Sequence, residues 1–443
     1  MKIRFVTLGC KLNFAESSAI GKALLQRGHT RAKQGEEADI CMINTCSVTD
    51  NADHKDRQTI HRIHRQNPNA IIIVTGCYAQ LQPEQIAQIE GVDYVLGQNE
   101  KYEITQLVDD IERLRDSLED ASLQDAANGY SLEAQKIRVA NIREVEEFHG
   151  AYSKDDRTRC FLKVQDGCNY FCTYCTIPYA RGKSRNPAIS DIIKDAQEAI
   201  SQGAKEIILT GVNIGDFGRS TGESFLELLR ALDGLEAKGE RREARGMDYR
   251  IRISSCEPNL LTDEIIDFVA QSKHFAPHFH IPLQSGSNEV LSIMKRRYTR
   301  ELFEERVQHI KQVMPHAFIG VDCMVGVRGE TEECFNDYVD FIKRLDVSQL
   351  HVFTYSERAN TRMLELDVCI VPKAERQRRS KILHEISEEK TRTFYANQTG
   401  RELVVLWESK KEGDQMAGFT ENYVKVYRPY DKAKVNTFEV IRL

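Results

Sequence analysis

Gly167-Cys168-Asn169-Tyr170-Phe171-Cys172-Thr173-Tyr174-Cys175 places three thiols at C-x3-C-x2-C spacing. Thiolates set this close can hold three corners of an iron-sulfur cube, whereas a cube of the electron-carrier kind needs a fourth cysteine in register. The spacing leaves one iron open, and an open iron binds a ligand that can react. S-adenosylmethionine is the candidate. Two other readings compete: zinc also favours thiolates, so the loop could be a structural zinc site in a noncatalytic RNA-binding protein, or the chain could carry electrons.

Working outward, the loop follows the strand expected over 160–165, the first of six βα-like repeats. Further strands are expected over 206–210, 250–254, 278–283, 319–325 and 349–355. Helices are expected over 190–202, 225–232, 263–271, 289–295, 300–313 and 332–345. Six repeats of this kind predict a partial barrel with its active residues on the loops at the carboxyl ends of the strands. Those ends carry Thr210-Gly211-Val212-Asn213, Ser254-Ser255, Gln284-Ser285-Gly286-Ser287 and Gly326. Glycine permits close backbone approach, and Ser, Thr, Asn and Gln offer hydrogen bonds to an amino acid or ribose. The cofactor-binding candidates are therefore Thr210, Gly211, Asn213, Ser255, Gln284 and Ser285. His278 and His280 alternate along one strand, as lumen-lining or satisfied core histidines both would.

Upstream, strands over 3–8, 39–44 and 70–75 alternate with helices over 16–27 and 51–66 and a short helix near Pro83, a βαβαβ pattern that predicts a parallel sheet. In such sheets ligands gather outside the carboxyl ends of the strands. Cys10, Cys46 and Cys77 each follow one of these strands. Any one of them alone reads as a buried residue. Three at one topological position point to a second metal site, again with three ligands and an open iron. Cys41, inside its strand, reads as core.

Residues 101–128 are charged and helical in pattern, and 131–150 read as a linker or an extended edge. Past the barrel, Lys373, Arg376, Arg378, Arg379 and Lys381 form a basic helical run, either a solvated face or a track for phosphates. Short strands over 403–407, 416–419, 423–427 and 438–441 predict a small β-barrel. The 443 residues suit about three domains, and 41% hydrophobic with 29% charged residues excludes a disordered or membrane class. No apolar run approaches the roughly 20 residues that span a bilayer, and the opening segment is too short and charged for a signal peptide. A cytoplasmic protein is expected, in which twelve cysteines bind metal, act in redox chemistry or lie buried. The net charge of −6 excludes a wholly basic nucleic-acid coat but not a local basic track.

The chain resembles the radical SAM methylthiotransferases over nearly its whole length. The resemblance is carried by Thr7-Leu8-Gly9-Cys10-Lys11-Leu12-Asn13, by Cys46 and Cys77, by Ile177-Pro178-Tyr179-Ala180-Arg181-Gly182-Lys183-Ser184-Arg185, by Leu209-Thr210-Gly211-Val212-Asn213-Ile214, and by His280-Ile281-Pro282-Leu283-Gln284-Ser285-Gly286-Ser287. The Gly-Cys-Lys-Leu-Asn form and Thr420-Glu421-Asn422-Tyr423 look most like the branch acting on N6-threonylcarbamoyladenosine in tRNA. Other branches act on N6-isopentenyladenosine in tRNA or on a ribosomal-protein aspartate. The chain departs from the family at Val327-Arg328, where Phe-Pro is usual, and at Ala359-Asn360, where a glycine is usual.

The resemblance implies an α/β protein with a Rossmann- or flavodoxin-like amino-terminal domain (1–115), a linker (116–153), a radical SAM partial (βα)6 TIM barrel (154–385) and a small RNA-binding β-barrel, TRAM (396–443). It implies that Cys10, Cys46 and Cys77 hold an auxiliary 4Fe-4S cluster that presents the sulfur, and that Cys168, Cys172 and Cys175 hold the radical cluster. S-adenosylmethionine serves as both methyl donor and radical source. The expected partners are a tRNA anticodon loop and an electron donor such as flavodoxin or ferredoxin. Tyr179, Arg181 and Arg185, just beyond the cysteine loop, could meet the RNA, and Arg181 and Arg185 could equally pair with carboxylates. No membrane is expected, and the sulfur donor stays open.

Overall fold

The computed structural model describes residues 1–33, 35–120, 136–153, 158–235 and 248–443. Parts of the expected charged stretch at 101–128 and of the linker at 116–153 lie outside the described residues. The chain forms two compact units. One is Met1–Glu147 with Thr176–Lys183, and the other is Phe148–Cys175 with Ser184–Leu443.

The first unit runs β1 (Lys2–Thr7), α1 (Lys11–Gln26), β2 (Thr30–Arg31), β3 (Ile40–Thr45), α2 (Asp50–Gln66), β4 (Ile71–Gly76), α3 (Cys77–Leu81), α4 (Pro83–Ala87), β5 (Tyr94–Leu96), α5 (Ile104–Asp120) and β6 (Ile137–Arg138), and it also holds α6 (Ile177–Arg181). Its six strands pair in parallel in the order β2-β1-β3-β4-β5-β6. Alternation along β3 sends Cys41 and Ile43 toward Ile60 and Ile63 of α2, and Ile40 and Met42 toward Ile20 and Leu24 of α1. Both faces of the sheet are thus covered, as parallel sheets require. Ile137–Arg138 is an edge strand, one of the two readings open for that stretch. Helix α1 begins five residues earlier than the apolar pattern suggested, with Cys10 at its N-cap.

The second unit continues with β7 (Arg159–Lys163), α7 (Ile189–Ser201), β8 (Glu206–Thr210), α8 (Phe225–Asp233), β9 (Arg250–Ile253), α9 (Asp263–Gln271), β10 (His278–Gln284), α10 (Asn288–Ile293), α11 (Arg300–Val313), β11 (Phe318–Val325), α12 (Glu332–Arg344), β12 (Gln349–Thr354) and α13 (Lys373–Ala396). Strands β7-β8-β9 and β10-β11-β12 form two parallel three-stranded sheets, and parallel bridges at Ile251–Phe275 and Ser255–His280 join them into a six-stranded partial barrel. Alternate residues such as Ile207, Leu209, Ile251, Ile253, Ile281, Val321 and Cys323 pack under the helices as its core. The residues between them face the lumen and are largely polar.

The expected β-barrel tail is a curled four-stranded antiparallel sheet of β13 (Glu402–Glu412), β14 (Gln415–Thr420), β15 (Lys425–Pro429) and β16 (Phe438–Arg442), in the order β15-β14-β13-β16. It covers the amino-terminal end of the lumen. There Glu206, fully buried on β8, accepts hydrogen bonds from Arg250 and from Arg252 Nε at 3.0 Å. The same two guanidiniums reach the carbonyls of Val404 (3.1 Å), Phe419 (2.8 Å), Thr420 (2.7 Å) and Glu421 (2.7 Å). Thr420-Glu421-Asn422-Tyr423 is therefore a docking turn: Asn422 donates to His316 O and Gln398 Oε1, and Tyr423 accepts from Arg159 and packs on His278 and Phe318.

Burial alone pushes the Glu206 carboxyl up, but Arg250 and Arg252 outweigh it and hold it at about 2, below its ordinary 4.5. A depressed carboxyl contributes stability that is complete above the ordinary value and lost as pH falls through the folded one. Trp407, the one tryptophan in the chain, is buried in β13. Its fluorescence is expected to report release of the tail sheet as pH falls from about 4.5 toward 2, and Glu206→Gln is expected to release it at neutral pH. A Glu206→Gln protein with the wild-type emission profile at pH 7 would remove Glu206 from that role.

Candidate active site

The first unit gathers Cys10, Cys46 and Cys77 by register. Thr7 lies opposite Asn44, and Asn44 opposite Thr75, so the three strands end level. Gly9 (φ 93°) passes so close to Cys46 that a Cβ on it would lie 2.5 Å from the Cys46 Cβ, and one on Gly76 (φ 102°) would lie 2.3 Å from the Thr45 carbonyl. Both positions demand glycine. Cys46 and Cys77 are buried, and Cys10 is exposed at the rim. Burial raises the Cys46 thiol, and the neighbouring Cys77 and Cys10 raise it further. Burial also raises Cys77, with Arg181 and Lys101 acting in the opposite sense.

Beneath these thiols lies a charge cluster. Glu16, wholly buried, accepts from Arg181 (3.1 Å) and Lys101 (2.6 Å), both also buried. Arg181 also donates to Asn13 Oδ1 at 2.7 Å, while Asn13 Nδ2 holds the carbonyls of Leu8 and Thr45 at 2.8 and 2.9 Å. Gln98 Nε2 donates to Cys77 Sγ at 3.2 Å, and Lys101 donates to Gln98. Asn13, Glu16, Gln98 and Lys101 carry no motif that would single them out in the sequence, apart from Asn13 in the Gly-Cys-Lys-Leu-Asn run.

In the second unit, Gln165 at the end of β7 organises the loop of Cys168, Cys172 and Cys175. Its Nε2 donates to the carbonyls of Asp166 (2.9 Å) and Gly167 (2.7 Å), and its Oε1 accepts from the amides of Val212 and Asn213, both at 2.9 Å. One buried amide thus pins the cysteine loop to the turn after β8. Phe171 takes φ 52° between the first two cysteines. Cys168 accepts from the Tyr170 amide at 3.4 Å, and Cys172 from Arg296 at 3.2 Å. Arg296 is itself held by Glu257, by Tyr298 Oη (3.0 Å) and by Tyr174 Oη (3.3 Å). Burial pushes Cys168 up to about 12 and also raises Cys172, against the pull of Arg296. Metal must displace protons from such thiols, so loading is pH-dependent. Arg296 sits in the basic run 295–297, a signal present in the sequence but without a cysteine beside it.

Among the cofactor-binding candidates, the side-chain amide of Asn213 (2% exposed) and the Oε1 of Gln284 find no hydrogen-bond partner of good geometry, and Gln284 is held at φ 64°. Buried amides left unmet at the carboxyl rim suit a polar cofactor. Gly211 leaves no room for a Cβ, which would meet Ile214 at 2.7 Å and Gln165 at 2.9 Å. Thr210 and Ser285 are otherwise engaged. Thr210 donates to the Ile208 carbonyl, and Ser285 accepts from the Ser287 amide. Ser255 bridges β9 to His280 through the backbone.

For two of the three expected RNA contacts the structure shows the carboxylate pairing that was the alternative reading. Arg181 is spent on Glu16 and Asn13, and Arg185 is 9% exposed, pairs with Asp166 at 3.3 Å and exchanges backbone bonds with it. Tyr179 is half-buried under the Arg143 guanidinium, 5.4 Å from its ring centre. In the basic run, Arg378 and Arg379 pair with Glu332 and Glu375, Arg379 also binds Glu330, and Arg376 pairs with Glu357. Arg379 is buried in this ion network, whereas Arg378 pairs at the surface and Lys373 and Lys381 stay exposed, so the run is only partly internal. The two departures from the family pattern fit their places: Val327 is buried, Arg328 pairs with Glu357 and Asn360 adopts φ 63° as a glycine can.

The model of an uncharacterized protein family, UPF0004, matches residues 2–97, and that of the radical SAM superfamily matches 162–342. A threonylcarbamoyladenosine tRNA methylthiotransferase, MtaB, of Bacillus subtilis is 37% identical over 96% of this chain and 89% of its own. The chain belongs to the radical SAM methylthiotransferases. A tRNA-2-methylthio-N(6)-dimethylallyladenosine synthase of Pelotomaculum thermopropionicum is 31% identical over 94% of this chain and 88% of its own. The radical S-adenosylmethionine methyltransferase TsrM of Kitasatospora setae shares the fold, with a TM-score of 0.54 at 15% identity over 79% of this chain and 72% of that one. Membership brings S-adenosylmethionine and two 4Fe-4S clusters, and the two sets of three thiols supply donors of the right chemistry for the clusters.

Removing one partner of a buried ion pair costs about 3–5 kcal/mol. Arg181→Ala is therefore expected to lower the denaturant midpoint and to shed iron from the amino-terminal unit while tRNA affinity holds, with Arg181→Lys recovering part of the loss. Weakened tRNA binding with full iron retention would restore Arg181 to the RNA surface.

Proposed function

We propose that this chain installs a methylthio group on C2 of N6-threonylcarbamoyladenosine next to the anticodon of tRNA. The likeness to threonylcarbamoyladenosine-specific relatives along nearly the full chain carries this reading. It is supported by two cysteine triads, each at the carboxyl rim of its own parallel sheet. The C2–H bond is neither acidic nor a leaving site, so acid–base side chains alone cannot activate it. When bound, the clusters and S-adenosylmethionine supply the sulfur, its methyl group and the 5′-deoxyadenosyl radical that removes the hydrogen.

The chain's own residues orient and shield. Gln165 fixes the loop of Cys168, Cys172 and Cys175 against the turn at Val212-Asn213, Arg296 steadies Cys172, and Asn213 and Gln284 offer unmet amides to the cofactor's polar groups. Asn13, Gln98 and Lys101 hold the other triad's surroundings. The electron donor is a small redox protein of the flavodoxin or ferredoxin kind. An RNA loop presents unstacked bases for such chemistry. No helix among the described residues is long and apolar enough to cross a membrane, consistent with action in the cytoplasm.

Because the triads have separate tasks, Cys172→Ala is expected to abolish 5′-deoxyadenosine release, and Cys46→Ala to leave some release while ending sulfur insertion. Equal loss of both activities in both variants would contradict the division. Nucleoside mass spectrometry after anaerobic turnover, with threonylcarbamoyl- and isopentenyl-modified tRNAs offered together, is expected to find the methylthio group on the threonylcarbamoyl nucleoside alone. Gain on the isopentenyl nucleoside would overturn the substrate assignment, and gain on neither would point to a protein substrate.

A further inference from the structure

Three side chains in the barrel lumen form a group that the cysteine chemistry does not use. Asp322 lies directly across from His351 in the β11–β12 register, and His280 on β10 lies across from Gly320, two residues before Asp322. Their strand neighbours Ile281, Val321, Cys323 and Leu350 pack outward into the core, so His280, Asp322 and His351 share the lumen face. His280 Nε2 is 2.7 Å from Asp322 Oδ1. The His280 and His351 rings stack at 5.0 Å, and one ligand atom from each of the three residues lies within 4.8 Å of the other two.

Gly320 makes this arrangement possible. A Cβ there would stand 3.1 Å from His351 Nε2, so the glycine leaves the ring its place against β11. Two imidazoles and one carboxylate on one side of a space form the donor set of open zinc and non-haem ferrous sites. Three protein ligands leave coordination positions vacant, and here they would face the lumen. The three residues come from three adjacent strands of one parallel sheet, a rigid support that keeps the donors in place whether or not an ion is bound.

We propose that His280, Asp322 and His351 bind a divalent transition-metal ion of the zinc or ferrous class, separate from both cysteine triads, with open positions for an oxygen ligand from the lumen. The bland alternative is a hydrogen-bonded His280–Asp322 pair with a stacked ring beside it. The two differ in what the protein retains.

The test uses full-length protein with both clusters loaded. It is titrated anaerobically with Zn2+ and desalted, and zinc and iron are counted by elemental mass spectrometry in the same sample. The expected result is one zinc per chain above the cluster iron, with iron unchanged. In His351→Gln, which alters an exposed side chain, and in Asp322→Asn, affinity for Zn2+ is expected to fall at least about 10-fold, the lower bound for disturbing a metal's supporting residues. Gly320→Ala, which keeps all three donors but crowds the His351 ring, is expected to weaken Zn2+ as well. Zinc uptake matched by iron loss, or equal uptake by wild type and His351→Gln, would overturn the proposal.

Discussion

Parallel pairing in level register is the constraint on which the rest of this protein depends. A parallel sheet delivers all its carboxyl ends to one edge, so residues far apart in sequence meet there without any long loop to bring them together. Thr7, Asn44 and Thr75 lie level across the first unit's sheet. The three cysteines need only short extensions to converge, with Gly9 and Gly76 removing the side chains that would hold the loops apart. In the barrel the same rule places the cysteine loop after β7 beside the turn after β8, and a single residue, Gln165, joins them through both ends of its amide.

The lumen makes a second demand. A six-stranded partial barrel is open along one side, and its interior here is lined with charge instead of the branched aliphatic layers that fill a closed one. Each ion must then be matched locally, because an unpartnered buried charge is costly. At the amino-terminal end Glu206 is matched by Arg250 and Arg252, and their remaining donors are satisfied by carbonyls of the tail sheet. The tail is thereby part of the barrel's electrostatics as well as a candidate RNA-binding element. Toward the carboxyl rim satisfaction stops: Asn213 and Gln284 keep unmet polar atoms. A lumen whose charges are paired at one end and whose neutral amides are unmet at the other marks where a polar ligand belongs.

Periodicity and spacing made much of this legible. Apolar runs located the strands that end in Cys10, Cys46 and Cys77 to within a residue or so, because β3 and β4 are buried on both faces and β1 still carries Ile3, Phe5 and Val6. The start of α1 was less legible, since its first turn lies at the rim, and there the apolar period is interrupted by Lys11 and Asn13. Gln165 and Arg296 were illegible as site residues. Each acts through its hydrogen bonds to backbone or to a thiol, and a lone polar residue carries no spacing to betray that. The departures from the family pattern explain themselves only in three dimensions, as at Asn360, where the side chain tolerates the left-handed backbone.

Arginine is where a linear reading stays most ambiguous. Arg181 and Arg185 follow the cysteine loop, beside an aromatic residue, in a segment that reads equally as a nucleic-acid contact or as a pair of ion-pairing residues. In the structure both are buried against carboxylates, Glu16 and Asp166. In the basic run Arg379 is likewise buried against Glu330, while Arg376 pairs with Glu357 and Arg378 pairs with Glu332 and Glu375 at the surface. A planar guanidinium with five donors is well suited to cross-linking elements from within, and in a chain with more acidic than basic side chains (67 against 61) carboxylates are at hand to receive it. Charge runs in such a chain therefore mark internal joints before they mark surfaces. Lysines on the tail sheet, such as Lys410 and Lys411, stay exposed. Their charge faces water, where a partner's anions can meet it, whereas the buried arginines must first be released from their carboxylates.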